Sequence, residues 1–316
     1  MRQNLMWQNA KPSGRVVVAG IVSLALAMAL SACGTSRGPG SAAPNQSVAT
    51  TSGTSATSSS PAQTTAATES SSKTLTGIPV YWVAESRRSF LLYREFRAVP
   101  DTGGLVTSAV SAMTSLKPLD PDYMTPWRPA SRVSVSQSGT AITVDLSRDA
   151  FANTQVGSEL ASRALQQLVY TATAAAQKAG TPASSVTITV DGTAFDAWGV
   201  IRLGEPMKRA PLADVQAQTW VTSPQEGDDL PAGPVTFKGF GTSFEANFVW
   251  EVRKDSGAAV AKGFAMGGTG DGTYGDFSFT VPLTAGTYTV KVSGDDASGG
   301  AEGPGPAVDD KSFTVH

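Results

Sequence analysis

Few side chains in this sequence can do chemistry. It holds one cysteine, Cys33, and one histidine, His316, the last of 316 residues. A Ser-His-Asp or Cys-His relay needs a histidine that the fold can bring to a nucleophile, so these reactions have no plausible base here. No zinc-ligand spacing and no Gly-rich phosphate loop is present. What is left is carboxylate chemistry. Asp145 with Asp149, and Asp191 with Asp196, follow strand-like runs, and paired carboxylates do acid–base work when their pKa values are pushed apart. The same residues also suit turns and helix caps, where Asp accepts backbone hydrogen bonds. With no nucleophile or metal cluster beside them, the turn-and-cap reading is preferred. A second acidic group occupies Gly-rich stretches: Asp271 and Asp276, then Asp295 and Asp296, with Glu302, Asp309 and Asp310 nearby. Calcium takes about six to eight oxygens, which such loops can supply. The spacing follows no calcium motif, and solvated acidic loops share this composition. Calcium at Asp271, Asp276, Asp295 and Asp296 is thus the one metal to consider, and no other cofactor is expected.

Cys33 points to chemistry of a different kind. Arg2, Lys11 and Arg15 give a basic leader, and Val16 to Leu30 is an unbroken run of apolar and small residues. The run is shorter than the ~20 apolar residues a membrane span needs. Leu30, Ser31 and Ala32 then precede Cys33. A positive region, a short apolar region and small residues before a cleavage point form a secretory signal. Leu-Ser-Ala-Cys resembles the bacterial lipobox. That resemblance implies diacylglycerol (with palmitate-type acyl chains) on the Cys33 thiol and cleavage that leaves Cys33 as the first residue. The expectation is a signal peptide over 1–32 and a lipid anchor on the outer face of the cell membrane. A single thiol also excludes an intramolecular disulfide, so exported domains must hold together by packing.

From residue 33 to 76 the chain is mostly Ser, Thr, Ala, Gly and Pro, with Val48 nearly the only sizeable apolar side chain before Leu75. Such a segment buries too little to offset its ordering entropy and reads as a disordered tether. A coil of about 40 residues reaches roughly 35 Å. Its Ser/Thr-rich composition also suits O-glycosylation. Overall, 24 Lys and Arg balance 26 Asp and Glu. Without a basic stripe, nucleic acid is not an expected partner.

Two domains follow. Over 77–212, Ile78 to Val83 and Ser89 to Val99 read as strands around a polar turn. Asp101 or Thr102 can cap a helix carrying Leu105, Ala109, Met113 and Leu116, ended by Pro118. A hairpin over 132–146 alternates cleanly. A second helix from Ser158 to Lys178 places Leu160, Ala164, Leu168, Ala172 and Ala176 on one stripe, with Gly180 and Pro182 as its stop. Ser185 to Val190 is a further strand. The order β-β-α-β-β-α-β predicts an α+β fold with its helices on one sheet face. Val144-Asp145-Leu146-Ser147, Phe151, Gln166-Gln167-Leu168-Val169-Tyr170-Thr171 and Ile188-Thr189-Val190-Asp191-Gly192 resemble the GerMN domain of sporulation and germination lipoproteins, found also in actinobacteria. That resemblance implies no catalytic residues. Related small α/β modules pack side by side, which is an analogy pointing to protein contact. Gln166, Gln167 and Tyr170 are the candidate partner-binding residues, on a helix whose other face is core.

Over 215–316 helical periodicity gives way to about seven short strands bounded by turns, which predict an all-β immunoglobulin-like sandwich. Trp250 is the expected central plug. Ser223-Pro224 with Gly227, Phe244-Glu245-Ala246-Asn247, Val249-Trp250-Glu251-Val252, Phe277-Ser278 and Ala285-Gly286-Thr287-Tyr288 resemble the immunoglobulin-like domain of bacterial spore germination. Two Gly-rich insertions, 267–275 and 294–305, depart from its pattern. The resulting expectation is a non-enzymatic, lipid-anchored envelope module that binds or assembles with an envelope protein or wall component. The alternatives are a cell-wall hydrolase or its accessory, through carboxylates, and a transporter-associated ligand-binding lipoprotein. The latter is disfavoured because two matched lobes are absent.

Overall fold

The computed structural model describes residues 73–87, 89–295 and 305–316. Cys33 and the lipobox residues Leu30, Ser31 and Ala32 lie outside the described residues, as does the tether to residue 72.

The first domain opens with β1 (Thr74–Ser86) and β2 (Ser89–Pro100), an antiparallel hairpin in which Tyr81 faces Arg94 and Val83 faces Leu92. Residues 78–84 are buried without a break. Ile78, Val80, Trp82 and Ala84 enter the main core, while Tyr81 and Val83 join a smaller cluster with Leu92, Tyr170 and Val215 on the opposite face. A strand covered on both faces reads as a continuous apolar run, as this one does.

α1 (Leu105–Ser115) buries Ala109, Val110, Ala112 and Met113. Its N-cap is Gly104, without a side-chain cap. Asp101, expected as the cap, instead accepts the N–H groups of Gly103 and Gly104 at 3.1 and 2.8 Å. It braces a turn whose two glycines have φ of 124° and 95°, which other residues rarely adopt.

β3 (Val133–Ser138) and β4 (Ala141–Leu146) form the expected hairpin. The long α2 (Ser158–Lys178) follows, and β5 (Ser185–Val190) then returns parallel to β4. Three two-residue strands follow: β6 (Asp196–Ala197), β7 (Ile201–Arg202) and β8 (Pro206–Met207). The main sheet runs β3-β4-β5-β8. The β1–β2 hairpin is a separate sheet, so α1 and α2 touch two β layers rather than one. A short α3 (Leu212–Val215) leads into the second domain.

That domain comprises β9 (Thr219–Ser223), β10 (Asp229–Leu230), β11 (Gly233–Gly241), β12 (Asn247–Lys254), β13 (Ala259–Met266), β14 (Gly275–Leu283), β15 (Gly286–Gly294) and β16 (Val308–Val315). They form a five-stranded sheet, β10-β16-β15-β12-β13, and a three-stranded sheet, β14-β11-β9. The inward faces supply Val235, Phe237, Phe248, Val252, Phe277, Val281, Tyr288, Val290, Val292 and Phe313. Phe237 and Phe248 occupy the centre, fully buried. Trp250 does not: it is only half-buried, stacked on Phe279 at 4.1 Å. The reason is its neighbour on the outermost strand of the sheet. Gly263 lies opposite Trp250, and a Cβ there would stand 2.6 Å from the indole. The large ring is accommodated by an absent side chain near the sheet edge.

Candidate functional site

The densest set of buried charges lies where the two domains meet. It begins with Glu95 on β2, which is almost fully buried. Trp82 Nε1 donates to Glu95 Oε2 at 2.7 Å, and Arg97 pairs with the same oxygen at 2.9 Å. Glu95 Oε1 accepts the N–H groups of Leu119 and Asp120 at 2.8 and 3.0 Å. These bonds position an irregular segment after α1. Asp120 then accepts the N–H of Asp122 at 2.8 Å, closing a turn that presents Tyr123. Tyr123 packs on Tyr93 with ring centroids 4.5 Å apart.

The second domain contributes alternate residues of β16. Asp309, Lys311, Phe313 and Val315 all face inward, the last two into the sandwich core and the first two toward the first domain. Lys311 Nζ donates to Asp120 Oδ2 at 2.6 Å, to Tyr123 Oη at 2.8 Å and to both Asp309 oxygens at 2.8 Å. The Asp310 carbonyl accepts from it at 2.9 Å. Tyr123 donates its hydroxyl hydrogen to Asp309 Oδ1 at 2.9 Å, and the Val221 N–H donates to Asp309 Oδ2 at 2.6 Å. Asp120, Tyr123, Asp309 and Lys311 are each no more than 6% exposed.

Burial and charge shape this cluster together. Burial pushes the Asp309 carboxyl up to about 6, against the pull of Lys311 and the hydrogen bonds from Val221 and Tyr123. Burial alone would lower Lys311, but the carboxylates of Asp309 and Asp120 outweigh it and hold its ammonium above the ordinary value. Burial, reinforced by Asp309 and Asp120, raises Tyr123 well above the usual phenol range. The ammonium's three protons meet five close acceptors, so it has no donor to spare for a substrate. The arrangement is a clamp between domains. Breaking such a buried pair leaves charge uncompensated, which is costly.

Further contacts extend the junction. The Gln225 amide meets both backbone groups of Phe96 on the outer edge of β2: its Nε2 donates to the Phe96 carbonyl at 2.8 Å, and its Oε1 accepts the Phe96 N–H. The Ala217 N–H donates to the Leu92 carbonyl at 3.1 Å. Trp220 of β9 is buried with the core of the first domain, and Phe240 and Tyr274 pack against that core.

The residues singled out from the sequence are placed elsewhere. Gln166, Gln167 and Tyr170 are not an open binding face. Gln167 is fully buried, donating to the Tyr81 carbonyl at 2.8 Å, while Thr171 one turn on accepts the Tyr81 N–H at 3.0 Å. This i, i+4 pair supplies the partners that a neighbouring strand would give β1. Gln166 bonds both the Lys208 carbonyl and the Ala210 N–H, and the Tyr170 hydroxyl donates to the Ala210 carbonyl at 2.6 Å. All three side chains are turned inward to hold β1 and residues 208–210, although Gln167 Oε1 has no partner among the described residues.

Asp145 accepts from Arg132, from Thr189 at 2.7 Å and from the Gly192 N–H at 2.7 Å. Asp149 takes the Ser131 N–H and the Ser147 hydroxyl. Asp196 pairs with Arg202 at 3.2 Å. Of the calcium candidates, Asp271 braces its own turn through Thr269 and Thr273, and Asp276 faces Phe240 across β14 and β11. Asp295 accepts from Asn247 at 3.2 Å, and Asp296 lies outside the described residues. Among the described residues no three His, Cys, Asp or Glu side chains are grouped to hold a metal ion. No described helix is long and apolar enough to cross a membrane.

The junction was hidden in the sequence for a physical reason. Asp309-Asp310-Lys311 reads as a solvated charge run. The one available signal is period two: extending the last strand back to Val308 puts Asp309 and Lys311 on the face of Phe313 and Val315. Asp120 and Tyr123 sit in an irregular segment that carries no periodicity.

Comparison with known proteins bears on each domain separately. No curated protein matches the chain. Among solved structures it is similar to CopC from Methylosinus trichosporium OB3b, with 22% identity over 31% of this chain and 92% of that one, at a TM-score of 0.24. It is also similar to fibronectin(III)-like modules of Clostridium thermocellum CbhA, with 11% identity over 31% and 94% of the two chains, at a TM-score of 0.21. Scores this low carry no weight for fold or function. Family comparison is more informative. Residues 79–196 match the family described as sporulation and spore germination, and residues 218–301 match the immunoglobulin-like domain of bacterial spore germination. The chain therefore carries a sporulation and spore germination domain followed by an immunoglobulin-like domain of the bacterial spore germination type.

Proposed function

We propose that this protein is a lipid-anchored envelope lipoprotein, on the outer face of the cell membrane, whose two domains act as one non-enzymatic platform for binding or assembly in a germination- or sporulation-related process. The observation that carries this reading is the Lys311 clamp, which fixes one germination-type domain against another. A partner would then meet a surface of constant geometry drawn from both domains, which lowers the ordering cost of binding. The Leu30-Ser31-Ala32-Cys33 sequence and the Ser/Thr-rich segment behind it support an anchored, tethered placement.

Two experiments test the reading. Cys33→Ser should move the protein from the membrane to the soluble fraction with its thermal unfolding unchanged; retention in the membrane would remove the anchor from the proposal. Immobilised residues 34–316 should retain a defined envelope component from a detergent extract. Release of soluble fragments from purified peptidoglycan would instead make the protein a wall hydrolase and overturn the non-enzymatic reading.

A further inference from the structure

A cleft of about 360 Å³, of mixed polar and apolar lining, opens where the β1–β2 turn of the first domain meets the loops at one end of the second. Arg87, Gln218, Thr219, Ser243 and Asp295 supply polar side chains, and Phe244, Pro306 and Ala307 apolar ones. The volume falls at the lower end of the ~300–1,000 Å³ range of small-molecule sites. Three features distinguish it from an incidental crevice.

The first is Thr219. Its side chain is fully buried, yet among the described residues its hydroxyl has no hydrogen-bond partner. Eight buried side-chain polar atoms among the described residues lack a partner, and the Thr219 hydroxyl is the one that lines this cleft, where a ligand can complete it. The second is Gly294, which lies beside Thr219 and Ser243. Its φ lies outside the left-handed region, so the backbone does not require glycine. A Cβ there would stand 3.1 Å from Ser243 Oγ and 3.8 Å from Thr219 Oγ1. The missing side chain keeps open the space before the two hydroxyls. The third is Phe244, a lining residue that is 56% exposed. It is carried on a tight turn in which Glu245 and Ala246 have φ of 52° and 58°, so the ring is displayed rather than folded into the core.

The chemistry of the walls selects the ligand. Asp295 disfavours an anion and Arg87 a cation, and hydroxyl and amide groups set beside Phe244, Pro306 and Ala307 call for a guest with both polar and apolar faces. A neutral polyol satisfies all of them. Its hydroxyls accept from Arg87, donate to Asp295 and do either with Thr219 and Ser243. The C–H face of a sugar ring packs flat on an aromatic ring. Arg87 Nη1 also donates to Gln218 Oε1 at 2.6 Å, which aligns two polar groups contributed by different domains. We propose that this interdomain cleft binds a saccharide, a short stretch of wall glycan, with a ring on Phe244 and a hydroxyl at Thr219. This rests on the envelope-binding reading and names the ligand class for it.

The test uses residues 34–316 with chitotriose as the probe, and with glycine and inorganic phosphate as controls, read by saturation-transfer NMR and calorimetry. Chitotriose should bind and both controls should not. Phe244→Ala and Thr219→Val should each weaken binding about tenfold. Because the Thr219 hydroxyl bonds nothing among the described residues, Thr219→Val should leave the melting temperature unchanged or raised, which separates a binding role from a structural one. Gly294→Ala should block the site as well. Equal binding by all three variants, absence of chitotriose binding, or binding of glycine or phosphate in its place would overturn the proposal. Sedimentation with purified wall sacculi distinguishes the two levels. Co-sedimentation without chitotriose binding discards the cleft and keeps the envelope reading; neither co-sedimentation nor a retained partner discards both.

Discussion

Lys311→Met is the sharpest test of the domain junction. The substitution keeps most of the side-chain length and removes the ammonium, leaving Asp120 and Asp309 buried without their shared cation. Removing one partner of a buried ion pair costs about 3–5 kcal/mol. For a folded body of this size that is a fall in melting temperature of roughly 10 °C, at about 2–4 °C per kcal/mol. Chemical denaturation followed by tryptophan fluorescence reads the loss, since Trp82 and Trp220 both lie in the core next to the junction. The sign of the pH dependence gives a second check. The folded-state pKa of Asp309 is raised from 3.8 to about 6, so its burial penalty is present in full above pH 6 and relieved as pH falls toward 4. The Lys311 pKa is raised too, so its contribution is complete below 10.5 and lost as pH rises through its folded value. Without Lys311, Asp309 takes up a proton more readily, and the deficit of the variant should be largest near pH 8 and shrink toward pH 5. Adding Asp309→Asn should recover part of the loss, because contacting residues do not act additively. A loss below about 1 kcal/mol, the size of a surface pair, or a deficit independent of pH, would refute the clamp.

Three further outcomes are expected. Gln167→Leu keeps the buried volume but strands the Tyr81 carbonyl, and should cost about 1–3 kcal/mol in urea denaturation; a neutral result would show that the bond is dispensable. Gly239→Ala places a Cβ 1.9 Å from the Phe277 ring and should cost at least ~1–3 kcal/mol through overpacking, whereas wild-type stability would mean the ring moves freely. Burial would raise the Asp145 pKa, but hydrogen bonds from Thr189, Arg132 and Gly192 lower it on balance. Its stabilisation is therefore present above pH 3.8 and lost as pH falls through the lower folded value. Carboxyl NMR titration should place its midpoint below 3.8, and a midpoint above that would contradict the geometry.

How far the fold could be read from the sequence depended on whether each residue's environment was local. α2 was legible over Ser158–Lys178 because its i, i+4 stripe and Gly180–Pro182 stop are properties of one segment. The strands of the second domain were legible because alternation such as Phe277, Phe279 and Val281 is local too. The parallel pairing of β4 with β5 was not, since it depends on where α2 brings the chain back. Gln167 and Trp250 were misread for one reason: their surroundings come from other elements, the bare edge of β1 and the space left by Gly263. Asp309 and Lys311 were harder still. A charged pair in a strand reads as solvent-facing until a second domain covers it.

Two of the glutamines found holding backbone groups, Gln167 and Gln225, have a shared consequence for solubility. The β1–β2 hairpin is a two-stranded ribbon, and both of its outer edges are templates for another strand. Gln167, Thr171 and the backbone of Met124 close one of them at Tyr81 and Val83. Ala217 and Gln225 close the other at Leu92 and Phe96, and Gln225 lies in the second domain. The first domain produced alone would therefore carry an unsealed edge at Phe96, open to pairing with a second molecule. The immunoglobulin-like domain is its neighbour's guard against aggregation, and the two should be expressed, stored and studied together.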